Sequence, residues 1–215
     1  PESAWLHTWQ TIVTRYANNT TVIGCDLRNE PGSPPLDPAA WPQNGGALWG
    51  YGDENAPPGQ LCDLAAASER AGNTILALNP NLLIFVEGAR FDPAGPAANG
   101  GVYWAGGNLV GVAKAALPHR PAPRPISLSV PNRLVYSVHD YGPDMYGGLP
   151  WCQLGSTAND AGACNAVWDE SWGYIVKEGI APVWVGEFGT PNGYRPDDPA
   201  APESFTCLLY TSPSP

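Results

Sequence analysis

Val22-Ile23-Gly24-Cys25-Asp26-Leu27-Arg28-Asn29-Glu30-Pro31 opens as a short apolar run and closes on a carboxylate. The same order recurs in Pro182-Val183-Trp184-Val185-Gly186-Glu187-Phe188-Gly189. Two further runs end in polar groups. Leu82 to Val86 is followed by Glu87, and Leu134 to Val138 by His139, Asp140 and Tyr141. Runs that are apolar on both faces suit parallel strands, which are covered on both sides. The pattern predicts strands over Thr21 to Leu27, Leu82 to Val86, Leu134 to Val138 and Pro182 to Gly186.

Helical spacing fills the intervals. Trp5, Trp9, Ile12, Val13 and Tyr16 predict a helix from Glu2 to Ala17. Leu61, Leu64, Ala65, Ala71, Ile75 and Leu78 predict another from Gln60 to Leu78, ended by Asn79-Pro80-Asn81. A third runs from Val167 to Glu178 and is closed by Gly179. The longest Gly- and Pro-rich stretches are 31–59, Gly88 to Arg133 (with room for one short helix) and 140–165. All of them follow strand C-termini. Loops longer than about 12–15 residues in a compact domain are usually functional. Long loops confined to one end of parallel strands predict an α/β fold of the (β/α)8 TIM-barrel type, with its active face built from those loops. A flavodoxin-like open sheet is the alternative, disfavoured because no Gly-rich phosphate loop opens a helix. No internal repeat is visible.

The 215 residues are 43% hydrophobic and 14% charged, enough for one sizeable core. A net charge of −10 with only 10 Lys plus Arg argues against nucleic-acid binding. A neutral polymer such as a polysaccharide fits that balance. No apolar run approaches the roughly 20 residues of a membrane span. No leader is visible, and the chain does not begin with Met. Of five cysteines, Cys152 and Cys164 flank a loop and are placed to form a local disulfide, whereas Cys25, in a strand, reads as a buried thiol. Asn18-Asn19-Thr20 and Asn19-Thr20-Thr21 are overlapping glycosylation triplets, a weak signal.

Asp26-Leu27-Arg28-Asn29-Glu30-Pro31, Tyr136-Ser137-Val138-His139-Asp140-Tyr141 and Val185-Gly186-Glu187-Phe188-Gly189 resemble, in order and spacing, three motifs of glycoside hydrolase family 5, cellulase family A. Asn79 to Gly88 and Trp104-Ala105-Gly106-Gly107-Asn108-Leu109 are similar to its secreted endo-β-1,4-glucanases. The resemblance runs from the first helix to about Thr190. It implies Glu30 as general acid/base, Glu187 as nucleophile, and Asn29 on the sugar 2-hydroxyl. It places His139 against sugar or carboxylates and Tyr141 as a donor to the nucleophile. Trp104 and Trp151, in loops after strands, are candidate sugar-stacking platforms, and Trp41 and Trp49 lesser ones. Trp168, Trp172 and Trp184 fit the core better. Arg28 is expected to pair with an acid in the barrel wall, Asp26 to be structural, and Glu87 to orient another side chain. The implied substrate is a β-glucan, the implied setting extracellular, and the implied state a monomer, with no cofactor or metal.

A complete barrel has eight strands and about 250 residues. If the resemblance holds, the chain begins at the third helix and ends after the seventh strand, an incomplete barrel holding strands 4 to 7. Residues 1–206 would then be a partial catalytic domain, poorly stable by itself and inactive, with exposed sheet edges. Residues 207–215 do not continue the expected helix and read as a non-native tail. Three functional alternatives remain. They are a β-mannanase or other β-glycanase on the same scaffold, a non-catalytic carbohydrate-binding barrel, and a metal-dependent hydrolase. Two retained glutamates disfavour the second. Of three histidines only His139 stands at a strand end, which disfavours the third.

Overall fold

Each of the four apolar runs contains a strand, and the strands pair in chain order. The computed structural model describes residues 2–32, 46–52, 63–95, 101–115, 120–141 and 166–189. Strands β1 (Gly24–Asp26), β2 (Leu83–Glu87), β3 (Leu134–Tyr141) and β4 (Val183–Gly189) form one sheet in the order β1-β2-β3-β4, every pair parallel. A flavodoxin-like sheet needs a strand order that reverses at a switch point. Sequential order without reversal is that of a barrel wall, and these four strands form a partial (β/α)8 barrel.

Helix α1 (Glu2–Arg15) precedes β1, and α2 (Leu64–Leu78) leads into β2. The start of α2 is set by Asp63, whose carboxylate accepts Ala66 N–H at 3.1 Å as an N-cap. It also accepts Gly50 N–H at 3.1 Å and Gly52 N–H at 2.9 Å, tying the first long loop to the helix. Leu64, Ala65, Ser68, Ala71, Gly72, Ile75 and Leu76 form the buried stripe of α2. A Cβ on Gly72 would lie 2.8 Å from Leu128 and 3.1 Å from Ile84 of β2, so glycine sets how closely the helix approaches the sheet and the segment before β3. The helical stretch before β4 contains a π turn at Asp169–Gly173, followed by α3 (Tyr174–Lys177). Gly179, at φ +66°, closes it as the spacing predicts, with Ile180 N–H donating back to Ile175 C=O at 2.9 Å. The stretch after β2 holds a short 3-10 turn at Val110–Val112 and a narrow antiparallel ribbon, Gly88–Phe91 against Val102–Asn108, which periodicity did not predict.

The core lies between the sheet and its helices: Val13, Cys25, Ile75, Ile84, Val86, Tyr136, Val138 and Ile175 meet there. Cys25 is buried, as expected, and burial raises its thiol pKa. Trp168 and Trp172 pack with Tyr103 and Val167, also as expected. Two tryptophans differ from their sequence reading. Trp49 is fully buried, its Nε1–H donating to Arg124 C=O at 2.7 Å, so it is core and not a platform. Trp184 is 59% exposed, because it lies on the inner face of the sheet, where Phe85 is its ring partner. Arg28 is exposed and forms no ion pair with the described residues, contrary to expectation. The buried ion pair among the described residues is instead Arg120 with Asp92, in the stretch between β2 and β3, at 2.5 Å.

No helix among the described residues is long and apolar enough to cross a membrane. Trp41, Trp151, the Cys152–Cys164 pairing, His119 and the tail at 207–215 lie outside the described residues.

Candidate active site

Strand alternation and one register shift assemble the site. Side chains alternate across a sheet, so Ser137, His139 and Tyr141 share one face of β3 and Asp140 the other. Asp140 follows His139 in the same polar run and by sequence alone belongs with the pocket groups. It is instead buried against Tyr103 and Trp172, where loss of solvent pushes its carboxyl pKa well up. The polar run His139–Tyr141 is also not a loop after β3 but its last three residues. Glu187 likewise lies within β4.

Ser137 pairs with Trp184 and Val138 with Val185, but His139 pairs with Glu187. Gly186 is the extra residue of a bulge. In regular register, with Gly186 paired to His139, Glu187 would oppose Asp140 and face away from His139. A Cβ on Gly186 would meet Ser137 Oγ at 3.0 Å and His139 Nε2 at 3.3 Å. Glycine therefore lets the bulge form beside the histidine. An isolated glycine in a strand pattern is a bulge signal that the sequence reading did not use.

His139 is the centre of the cluster and is 3% exposed. Its Nδ1 lies 3.1 Å from Glu30 Oε1 and 3.5 Å from Glu187 Oε2, and its Nε2 lies 3.5 Å from Glu87 Oε1. Tyr141 donates its hydroxyl to Glu187 Oε2 at 2.7 Å. One oxygen each of Glu30 and Glu187 and a nitrogen of His139 all lie within 4.8 Å of one another. That is the one group among the described residues able to offer three metal-ligand atoms. The Glu30 and Glu187 side chains are 38% and 40% exposed, so both carboxylates open to solvent above a buried imidazole.

Glu30 sits in the loop after β1 with φ +43°, and its backbone N–H donates to Glu87 Oε2 at 2.8 Å. Glu87, at the end of β2, is buried, and its pKa is pushed up to about 8. Burial is the main cause, and the negative charges of Asp26, Glu30 and Glu187 add to it, against the pull of the Glu30 N–H. Asp26 accepts from Ser137 Oγ at 3.1 Å and from Glu87, and burial raises its pKa too. At neutral pH the Asp26–Glu87 pair therefore holds a proton. Asn29 is exposed beside Glu30. Trp104 stands at the wall of the site, its ring edge-on to Tyr141 at 5.5 Å and its Nε1–H donating to Tyr141 C=O at 3.0 Å. The structure thus brings together Glu30, Glu87, His139, Tyr141, Glu187 and Trp104 from strands and loops distant in sequence.

Two glutamates at the open end of parallel strands, bridged by a buried histidine, are the equipment of a glycoside hydrolase. The family model for cellulase (glycosyl hydrolase family 5) matches residues 1–208, and the chain belongs to that family. It is 44% identical over 192 residues to an endoglucanase of Paenibacillus polymyxa, covering 89% of this chain and 40% of that protein. It is 33% identical over 195 residues to the major extracellular endoglucanase of Xanthomonas campestris pv. campestris, covering 89% of this chain and 32% of that one. Among solved structures, the hyperthermophilic endocellulase of Pyrococcus horikoshii superposes with a TM-score of 0.71 at 33% identity, over 91% of this chain and 48% of that one. That endocellulase has also been solved with cellotetraose. The chain thus spans less than half the length of these relatives.

Proposed function

We propose that this chain carries the catalytic glutamates of an endo-acting β-1,4-glucanase that works by retaining double displacement. The approach of Glu30 and Glu187 to within 4.8 Å, oxygen to oxygen, carries the reading. Retaining glycosidases hold their carboxyl groups about 5–5.5 Å apart, whereas inverting ones need roughly 6.5–9.5 Å to admit a water. Glu187, held by the Tyr141 hydroxyl, attacks the anomeric carbon. The glycosidic C–O bond breaks as Glu30 delivers a proton to the departing oxygen. Glu30 then takes a proton from water, whose oxygen displaces Glu187 and frees the sugar. Asn29 hydrogen-bonds the 2-hydroxyl, a contact that strengthens in the transition state. His139 holds the two carboxylates in register, and Trp104 and Trp151 offer flat faces to glucose rings.

The cellotetraose bound by the Pyrococcus relative supports a β-1,4-glucan substrate. The name of the Xanthomonas relative supports an extracellular setting. The test is Glu187→Gln in the full-length protein. Turnover of carboxymethylcellulose should fall on the order of 10⁴-fold or more, the scale of nucleophile removal, while cello-oligosaccharides still bind. Near wild-type turnover would sink the nucleophile assignment. Faster hydrolysis of mannan than of carboxymethylcellulose would reassign the substrate. Proton NMR of the first product should show the β-anomer; the α-anomer would exclude retention.

A further inference from the structure

Glu30 adopts a backbone conformation that L-residues avoid. At φ +43° it is in the left-handed region, where glycine or asparagine is usual. Something must hold it there, and one side chain does. Glu87 Oε2 accepts the Glu30 N–H at 2.8 Å from a buried position at the end of β2. The seat of that carboxyl is built by a third segment. Gly106, at φ +85°, would with a Cβ fall 2.5 Å from Glu87 Oε2 and 3.2 Å from His139 Cγ. Glycine at 106 therefore leaves Glu87 its place, and Gly88 N–H to Gly106 C=O at 2.8 Å keeps the two segments together. The charged and titratable groups facing Glu87 are Asp26 from β1, Glu30 from the loop after β1, His139 from β3 and Glu187 from β4.

We propose that Glu87 is a positioning residue for Glu30. By accepting the Glu30 backbone N–H it fixes the left-handed turn that brings the Glu30 carboxyl to His139 Nδ1 and towards Glu187. The inference rests on the reading of Glu30 as proton donor. Glu87 touches no reacting atom and acts through the backbone of its neighbour. What matters is the acceptor oxygen and its reach.

Aryl β-cellobiosides test this in the full-length protein, because a poor leaving group such as phenol needs the acid and 2,4-dinitrophenol does not. Glu87→Leu, which removes the acceptor, should lower kcat/KM for the phenyl glycoside on the order of 10²-fold, the lower end of what general acid catalysis contributes. The dinitrophenyl glycoside should change only a few-fold. Glu87→Gln, which keeps an acceptor oxygen at the same reach, should stay within a few-fold of wild type on both. Equal losses on both substrates in Glu87→Leu would overturn the proposal, as would a Glu87→Gln variant as impaired as Glu87→Leu. If Glu87→Leu does not fold, Glu87→Asp, whose carboxyl is one methylene short, should show the same selective loss, and an even loss there overturns the proposal. Glu30→Ala is the reference. A steep leaving-group dependence in it with a flat one in Glu87→Leu would overturn the positioning role and leave Glu30 as acid. A flat dependence in both would overturn the assignment of Glu30 as well.

Discussion

Replacing Glu87 with glutamine should flatten the dependence of stability on pH. In the folded protein the Glu87 carboxyl, buried and surrounded by Asp26, Glu30 and Glu187, keeps its proton until about pH 8, whereas its ordinary value is 4.5. Between those values the unfolded chain binds fewer protons than the folded one, so raising pH favours unfolding. The stabilisation is fully present below 4.5 and is lost as pH climbs through about 8. At about 1.4 kcal/mol per pH unit, the interval is worth about 5 kcal/mol. Glutamine cannot ionise, yet keeps an acceptor for the Glu30 N–H. Urea unfolding of the full-length protein and its Glu87→Gln variant, from pH 4.5 to 8.5, isolates the contribution as the difference between two curves. The difference should grow with pH in favour of the variant. Parallel curves would refute the reasoning and would mean that Glu87 is ionised in the folded state.

Tyr141→Phe removes a 2.7 Å donor to Glu187. Hydrogen bonds to charged groups are worth about 1.5–3 kcal/mol, so kcat/KM should fall roughly 10- to 100-fold with Tm unchanged, and a loss under about threefold would remove Tyr141 from the site. Arg120→Met strands Asp92, the two side chains being 2% and 1% exposed; unfolding free energy should drop by about 3–5 kcal/mol, and adding Asp92→Asn should restore part of it by the same urea assay. Gly186→Val places carbon where a Cβ is already 3.0 Å from Ser137 Oγ. It should reduce activity far more than stability, and a fully active variant would show that the bulge does not need glycine.

Much of this fold is legible because apolar runs mark strands whatever surrounds them. What periodicity misplaced are the strand ends. His139–Tyr141 and Glu187–Gly189 continue β3 and β4 although they are polar, since the inner face at this end of the sheet carries the site and not the core. A rule that ends a strand where hydrophobicity ends stops short here. Asp140 shows the converse. Its neighbours in sequence made it look like a pocket group, and alternation sends it to the opposite face. Trp49 was unreadable for another reason. It sits in a loop by composition, but its burial depends on Arg124 and Tyr136, which lie far along the chain. Trp184 erred the other way, for a strand tryptophan is core only if both faces of its strand are covered.

The glutamates were found by residue type, but the way they meet depends on glycines and on backbone. Glu187 reaches His139 because Gly186 bulges out of register between Val185 and Glu187, so that His139 pairs with Glu187 and not with Gly186. Glu30 reaches His139 because its own backbone turns left-handed under Glu87, whose place exists because residue 106 has no Cβ. Both carboxylates thus arrive at one imidazole by departures from regular structure, each permitted by a glycine close to that ring. Such departures carry no hydrophobic signature, which is why periodicity cannot see them. They do carry a positional one. A single glycine inside a strand pattern directly before a carboxylate, and a Gly-Gly pair opposite the end of a neighbouring strand, are readable in sequence once the chemistry is known to need two acids on one face. Substitutions at Gly106 and Gly186 should therefore damage the site through Glu87 and Ser137 as well as His139, although neither glycine has a side chain to contribute.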